Sequence, residues 1–485
     1  MREYAEKALD YLDGGKVDYA DVRVIDSRER HIATKNGKMA DASSEESLGM
    51  GIRVLLKGSC GFAATDNFSA ESVAATAARA VEIARASAGV KKADVVLAPE
   101  EKIVDTWSSP FRVDPFTTSI EDNMGLLLQA DAELRSVAGV TLAETGLQFR
   151  RTHEIFLSTI GSAIEQTRLV TGAGMGAYSF ADGEIQKRSY PNSFGGQYQL
   201  KGYELVEELH LAENARRIAE EAVALHRADL CPRGSRALIL DSSQLGLQIH
   251  ESIGHPAELD RVLGMEANYA GTSFLTLEKL RKLRYGSEIV HVVADARLEH
   301  GPGLGTFGYD DEGVPAQRTD IIKDGLFVGY LTSRETAPTV GEKRSNGTMR
   351  SEGWNHTPLI RMTNVSLLPG HGTLEDLIAD TDDGIYMETN RSWSIDDRRY
   401  HFQFGCELGW EIRKGKKTRM LKNPSYSGIT TEFWNSCDAI CGPESWTLWG
   451  TPNCGKGQPS QTMGTGHGAS PSRFRNVTVG IAYAS

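Results

Sequence analysis

Leu247-Gln248-Ile249-His250-Glu251-Ser252-Ile253-Gly254-His255-Pro256 holds two histidines and a glutamate in the pattern H-E-x-x-x-H. The common zinc-hydrolase pattern spaces its histidines four apart, so one helix face presents both imidazoles to the metal. Here they are five apart, which on an ideal helix is about 140° of rotation and about 7.5 Å of rise, too divergent for one ion. Gly254 and Pro256 flank the second histidine. Glycine permits a left-handed helix end, and the residue before a proline is pushed out of the helical region. The expectation is a helix ending near Ile253 or Gly254, with the chain folding His255 back toward His250. Two neutral imidazoles then hold a divalent metal, zinc by ligand type. Glu251 adjoins one ligand but points elsewhere, so it is placed to act as general base on a water whose pKa the metal lowers toward ~7.

Outward from this stretch, 485 residues exceed one ordinary core. Cys231-Pro232-Arg233-Gly234 marks a boundary by its turn residues. The expected fold class is α+β: an N-terminal domain, 1–230, with helices on an antiparallel sheet, and a C-terminal domain, 231–485, largely antiparallel β and carrying the metal helix. A net charge of −12 argues against a nucleic-acid partner, since nothing neutralises phosphates. Met1-Arg2-Glu3-Tyr4-Ala5-Glu6 opens an amphipathic helix rather than a signal peptide. No run approaches the ~20 apolar residues of a membrane span. Six cysteines in so long a chain are not a disulfide framework. These readings place the chain in the reducing cytoplasm.

In the first half the pattern predicts a helix over 2–13 and a strand over 19–34, broken near Arg28. A hairpin turn follows at Asn36-Gly37, then strands over 48–56 and 59–64. An alanine-rich helix over 69–88 stops at Gly89, its small residues suggesting close packing on a sheet. Residues 90–116 read as a connector. A helix over 119–137, strands over 141–151, 154–159 and 163–181, and one helix over 203–227 complete the half. Beyond residue 231 come a short buried strand, the N-caps Asp241, Ser242 and Ser243, the metal helix, and alternating strands and turns. The chain closes on a strand over 476–483.

Gly303-Leu304-Gly305-Thr306-Phe307-Gly308 matches the dinucleotide pattern G-x-G-x-x-G, but no helix follows it, so it reads as a flexible active-site loop or a turn. Asp310, Asp311 and Glu312 beyond it read as a site for a cation or substrate amine, or as a solvated acidic turn. Cys437 and Cys441 form one pair without a second and read as buried structural thiols. A zinc hydrolase needs a third protein ligand. Cys454, between Asn453 and Gly455 in a glycine-rich stretch, is one candidate, and His356, His371, His401 and His467 are others.

With these motifs the chain resembles the TldD/PmbA family of metallopeptidases, in its metal-binding TldD-like branch. The resemblance rests on His250 to His255, on Gly271-Thr272-Ser273, on Asp310-Asp311-Glu312-Gly313-Val314-Pro315, on Arg361-Met362-Thr363-Asn364 and on Cys454 in the C-terminal glycine-rich block. It is weakest from Trp393 to Trp449. It implies a zinc peptidase acting on unfolded peptides, with metal ligands His250, His255 and Cys454 and catalytic Glu251. It also implies an active site enclosed between two subunits, the partner being a second copy or a PmbA-like protein without its own metal. An extended peptide bound as an added strand agrees with the β-rich reading. A zinc hydrolase of small amides or modified peptides, and a non-catalytic subunit of a peptide-modification complex, stay open at this point.

Overall fold

The computed structural model describes residues 1–12 and 17–482, so the ends of the expected helix and of the last strand, Asp13 and Tyr483, lie outside the described residues. The fold class is α+β, as expected. Its first sheet has eight strands. Ser59–Thr65, Lys38–Leu56, Tyr19–Lys35, Val140–Ser158, Ala163–Ala181 and Val104–Ser108 lie side by side in that order, with Glu184–Tyr190 and Gln197–Gln199 added on Ala163–Ala181. Tyr19–Lys35 is unbroken at Arg28, because its ladder runs on through Glu46 on one side and Arg151 on the other. The polar run 38–47, which carries no strand-like alternation, is strand for the same reason. The expected Asn36-Gly37 hairpin turn forms, at φ 48° and 75°, and Lys57 and Gly58 make a second one between Lys38–Leu56 and Ser59–Thr65, at φ 50° and 68°. The connector holds the strand Val104–Ser108. The helix expected over 203–227 breaks into Glu204–Glu208 and Leu211–Ala224 at His210, which is left-handed.

Helices cover one face of this sheet in two clusters. Arg2–Leu12 and Ala70–Ala88 bury alanines and valines against Val22, Val24, Ile52 and Val54. Ile120–Arg135 and Leu211–Ala224 pack on Ile32, Leu147 and Phe149. The alanine-rich helix lies flush on the sheet: a Cβ at Gly61 would stand 2.0 Å from the Ala80 carbonyl oxygen.

The opposite face of the same strands meets the second half of the chain. Tyr19 to Ile25 are all buried although polar residues alternate with apolar ones. Ala20, Val22 and Val24 face the helices, while Asp21 and Arg23 face the turn at 310–312. Arg23 pairs with Asp311 at 2.8 Å, and Arg53 bridges Asp21 at 2.6 Å and Glu312 at 2.7 Å. The acidic turn is therefore neither solvated nor open to a cation. Its carboxylates are buried and committed to arginines and backbone N–H groups of the interface.

In the second half, Asp383–Ile395, Gly234–Leu240, Ser472–Ile481, Pro424–Ile429 and His401–Arg413 pair in sequence, and the last pairs back with the first, so five strands close a ring. Most pairings are antiparallel; Gly234–Leu240 runs parallel to Asp383–Ile395. The helix Ser242–Ile249 follows Gly234–Leu240 directly and is buried on all sides. A separate hairpin, Thr447–Lys456 with Gln461–Ala469, packs across it and carries Cys454 and His467. Among the described residues no helix is long and apolar enough to cross a membrane.

Glu154 makes the interface pH-sensitive. It is 1% exposed, and burial, reinforced by the nearby Asp311 charge, pushes its carboxyl up to about 7. A folded-state value above the unfolded one favours folding at low pH, and that contribution is lost as pH rises through about 7. Wild-type stability is expected to decline by roughly 3 kcal/mol from this group between acid and neutral pH. Glu154→Gln is expected to flatten the decline in urea denaturation at several pH values; an unchanged pH dependence contradicts the assignment.

Candidate metal centre

Asp241 caps the helix, accepting from the backbone N–H of Ser243 at 2.9 Å and of Gln244 at 3.1 Å. After Ile249 the helix does not end. It widens into a π-turn, His250–Gly254, and tightens to a 3-10 turn, His255–Ala257. Gly254 is right-handed at φ −61°, and His255 is helical at φ −58° and ψ −45°. The expected left-handed stop is thus replaced by a wider turn, and the cause is still Pro256. A proline in a helix has no N–H to donate four residues back, and its ring crowds that carbonyl. Here the carbonyl is that of Ser252, which accepts from the Tyr285 hydroxyl instead. One residue earlier, the His255 N–H reaches past Glu251 to the carbonyl of His250. Five residues then make one turn, so His250 and His255 share a face, their ring centroids 4.8 Å apart. Gly254 serves a packing need, since a Cβ there would lie 2.0 Å from the Met362 sulfur.

The far side of the helix is a closed polar ladder. Gln244 donates to the Tyr426 hydroxyl at 2.9 Å, which donates to Gln248 at 3.0 Å. Gln248 and Trp434 donate to the Ser252 hydroxyl at 3.1 and 2.9 Å. Every buried polar group on that face has a partner, so the helix cannot rotate without losing several hydrogen bonds.

Cys454 meets the two histidines. One nitrogen of each imidazole and the Cys454 sulfur all lie within 4.8 Å of one another, and all three residues are buried. His255 Nε2 stands 3.6 Å from the sulfur. The other nitrogens fix the tautomers. His467 Nδ1 donates to the Val365 carbonyl at 3.1 Å, leaving its Nε2 to accept from His250 Nδ1 at 2.8 Å. His255 Nδ1 donates to Glu258 at 2.9 Å. Both imidazoles therefore turn a bare Nε2 lone pair inward, the arrangement in which a carboxylate or a second ring orients a metal-binding histidine. Glu258 is held in turn by the buried ammonium of Lys456 at 3.1 Å, which also meets Asp260 and Glu266.

The protonation states agree. Burial lowers His250 below the ordinary histidine value and His255 well below it, so both rings are neutral near pH 7. Burial alone would raise the Cys454 thiol, but its charged surroundings, the Arg361 guanidinium foremost, hold it below the ordinary thiol value. Burial pushes the other five cysteines up, Cys441 and Cys60 to about 11. Two neutral imidazoles and a thiol inclined to ionise are the donor chemistry of a zinc-type site.

Glu251 is 6% exposed and accepts a hydrogen bond from Arg399. The remaining candidates lie elsewhere. His401 bonds Asp396 on the surface, and Cys437 and Cys441 are buried, matching the structural reading. His467 touches the centre through His250. In the stretch 303–308 no helix follows, and a Cβ at Gly305 would lie 2.1 Å from the Thr363 carbonyl carbon, while Gly303 and Gly308 make room for the Asn364 and Trp107 side chains, so these glycines serve packing. Sequence reasoning missed Tyr285, Glu258, Lys456 and Arg399, and it met Arg361 only as part of a family block with no role. Only Glu258, three residues after His255, carried a local signal.

Comparison with known proteins follows the same line. A family model described as the PmbA/TldA metallopeptidase C-terminal domain matches residues 233–480, and one for domain 1 matches residues 20–84. A metalloprotease of Methanocaldococcus jannaschii is 30% identical over 468 residues, covering 96% of this chain and 97% of its own. A zinc metalloprotease TldD homologue of Saccharolobus solfataricus is 28% identical over 207 residues, covering 43% of this chain and 44% of its own. The crystal structure of TldE from Thermococcus kodakarensis shares the fold with a TM-score of 0.72, at 15% identity and 99% coverage of both chains.

The π-turn depends on Tyr285. Tyr285→Phe leaves the buried Ser252 carbonyl unpaired and is expected to cost about 1–3 kcal/mol. Urea denaturation of the metal-free protein reads this directly, and wild-type stability in the variant would show that the hydroxyl does not support the turn.

Proposed function

The chain belongs to the PmbA/TldD metallopeptidase family, and from that premise we propose that it is a zinc-dependent peptidase of unfolded peptides, with His250, His255 and Cys454 as metal ligands and Glu251 as general base. The observation that carries this is the convergence of two Nε2 lone pairs and the Cys454 sulfur on one point, each nitrogen freed by a hydrogen bond at the opposite side of its ring. A name among the relatives supports zinc. Bound there, zinc supplies a water acidified toward pH 7 and polarises the scissile carbonyl.

The chain's own residues do the rest. Glu251 follows His250 in the π-turn, so its carboxylate is anchored one residue from a ligand. It takes a proton from water as the water oxygen attacks the carbonyl carbon, and returns it to the departing amine nitrogen as the C–N bond breaks. The Glu258–Lys456 pair and His467 keep both imidazoles in the tautomer the site needs. An extended peptide binds through main-chain hydrogen bonds along a strand edge, which gives little side-chain selectivity.

Glu251→Gln is expected to keep its metal and lose about 10²–10⁴-fold in peptide cleavage. Cys454→Ala is expected to lose metal and activity together, whereas Cys437→Ala and Cys441→Ala keep both. Elemental analysis beside a peptide-library digest read by mass spectrometry checks these outcomes; turnover at the wild-type rate in Glu251→Gln sinks the role given to that residue.

The same proposal includes assembly as a dimer, with a second copy or with a PmbA-like partner. Phe180 and Ile185 face each other across adjacent strands at 57% and 55% exposure, an apolar pair that a partner can cover. Light scattering on the active protein is expected to give twice the chain mass or a defined heterodimer; an active monodisperse monomer rules this out.

A further inference from the structure

Arg399 stands at the tip of the hairpin formed by Asp383–Ile395 and His401–Arg413. Its backbone is left-handed at φ 65°, a conformation uncommon for a residue with a Cβ and costly unless the surroundings enforce it. Here they do. Asp396 accepts from the Tyr400 N–H at 2.8 Å and the His401 N–H at 3.2 Å, closing the tip. The Asp397 and Arg398 carbonyls accept from the N–H groups of Thr272 and Phe274, docking the tip on the segment after the metal helix. The Arg399 carbonyl accepts from the Thr430 hydroxyl at 2.9 Å.

All this fixes the root of one side chain, and that side chain points at the centre. Arg399 Nη1 donates to Glu251 Oε2. Its charge reaches His250 and His255, adding to the effect of burial on both rings. Its Nε is buried and has no hydrogen-bond partner. That donor is available to an acceptor that enters the centre beside Glu251. Arg361, the other guanidinium near the centre, donates its Nη2 to the backbone carbonyl of Cys454 and also keeps an unpartnered Nε and Nη1, so what singles out Arg399 is its bond to Glu251.

We propose that Arg399 is a catalytic residue, moving its N–H donors from Glu251 to the scissile carbonyl oxygen as that oxygen becomes negative. This rests on the peptidase reading above. As the water oxygen bonds to the carbonyl carbon, a water proton passes to Glu251 and the C=O π pair moves onto oxygen. Glu251 loses its charge at the moment the carbonyl oxygen gains one, so the guanidinium follows the charge from one acceptor to the other. When the pair returns and the C–N bond breaks, Glu251 gives its proton to the amine nitrogen and Arg399 pairs with the carboxylate again. Preorganised donors of this kind are commonly worth about 10²–10³-fold in kcat.

The test uses the full-length, metal-loaded protein with Arg399→Gln and Arg399→Lys, each checked for metal content and thermal melting. kcat is expected to fall about 10²–10³-fold in Arg399→Gln with KM changed only a few-fold, and Arg399→Lys to recover part of it. The second readout is the affinity of a phosphinic peptide, whose tetrahedral oxyanion resembles the transition state, against that of the matching reduced-amide peptide, which has no scissile carbonyl and is not cleaved. Phosphinic affinity is expected to fall in proportion to kcat/KM while peptide affinity holds. If phosphinic affinity stays at the wild-type level while kcat falls, Arg399 only positions Glu251 and the proposal is overturned. A wild-type protein that binds zinc and cleaves no peptide overturns the peptidase reading itself, a result visible before any variant is made.

Discussion

Pro256 has no N–H to give to the carbonyl of Ser252, and the geometry of the donor cluster descends from that missing hydrogen bond. A regular helix would splay two histidines five residues apart. The proline forbids regularity at that point, the turn widens, and the spacing that looks wrong on an α-helix becomes one turn. The device needs a substitute donor for the stranded carbonyl and a residue without a side chain beside Met362. Tyr285 and Gly254 meet those needs.

Around that turn the protein spends most of its polar interior on orientation. His467, itself held by the Val365 carbonyl, and Thr465 support one imidazole, while Glu258 and Lys456 support the other. Lys456 is fully buried among three carboxylates, and Arg261 joins Glu266 at 3.2 Å, so the cluster approaches charge balance. Removing one member would leave an uncompensated buried charge, which is costlier than the pair is stabilising. The same hairpin supplies Cys454, Lys456, Thr465 and His467, so one two-stranded unit delivers both a candidate ligand and the groups that orient the rest.

Among the described residues, the first half of the chain contributes no donor to the cluster. Its contribution is a wall. Strand Tyr19–Lys35 turns Asp21 and Arg23 toward the turn at 310–312, and Arg53 from the adjacent strand closes the contact. Alternation of charged and apolar residues usually marks a strand with one wet face. Here both faces are dry, and the charges hold the first sheet against the turn at 310–312.

What the sequence by itself determined was local. The helix cap at Asp241, the Asn36-Gly37 and Lys57-Gly58 turns, and the histidine–glutamate stretch are written in neighbouring residues, because hydrogen-bond chemistry and backbone sterics act over a few positions. The choice of Cys454 among six cysteines needed the family's pattern as well, since composition alone left four histidines in contention. Only the tertiary structure decided the rest. Cys454 meets His255 across 199 residues and His467 meets His250 across 217, separations over which no periodicity carries information. Arg399 reaches Glu251 from a hairpin tip whose position depends on a closed ring of strands. The helix continues through Gly254 because Tyr285, 33 residues from Ser252, arrives to accommodate the proline. Local rules gave two conformations to choose between, a stop or a widened turn, and the contact made at long range selected the second.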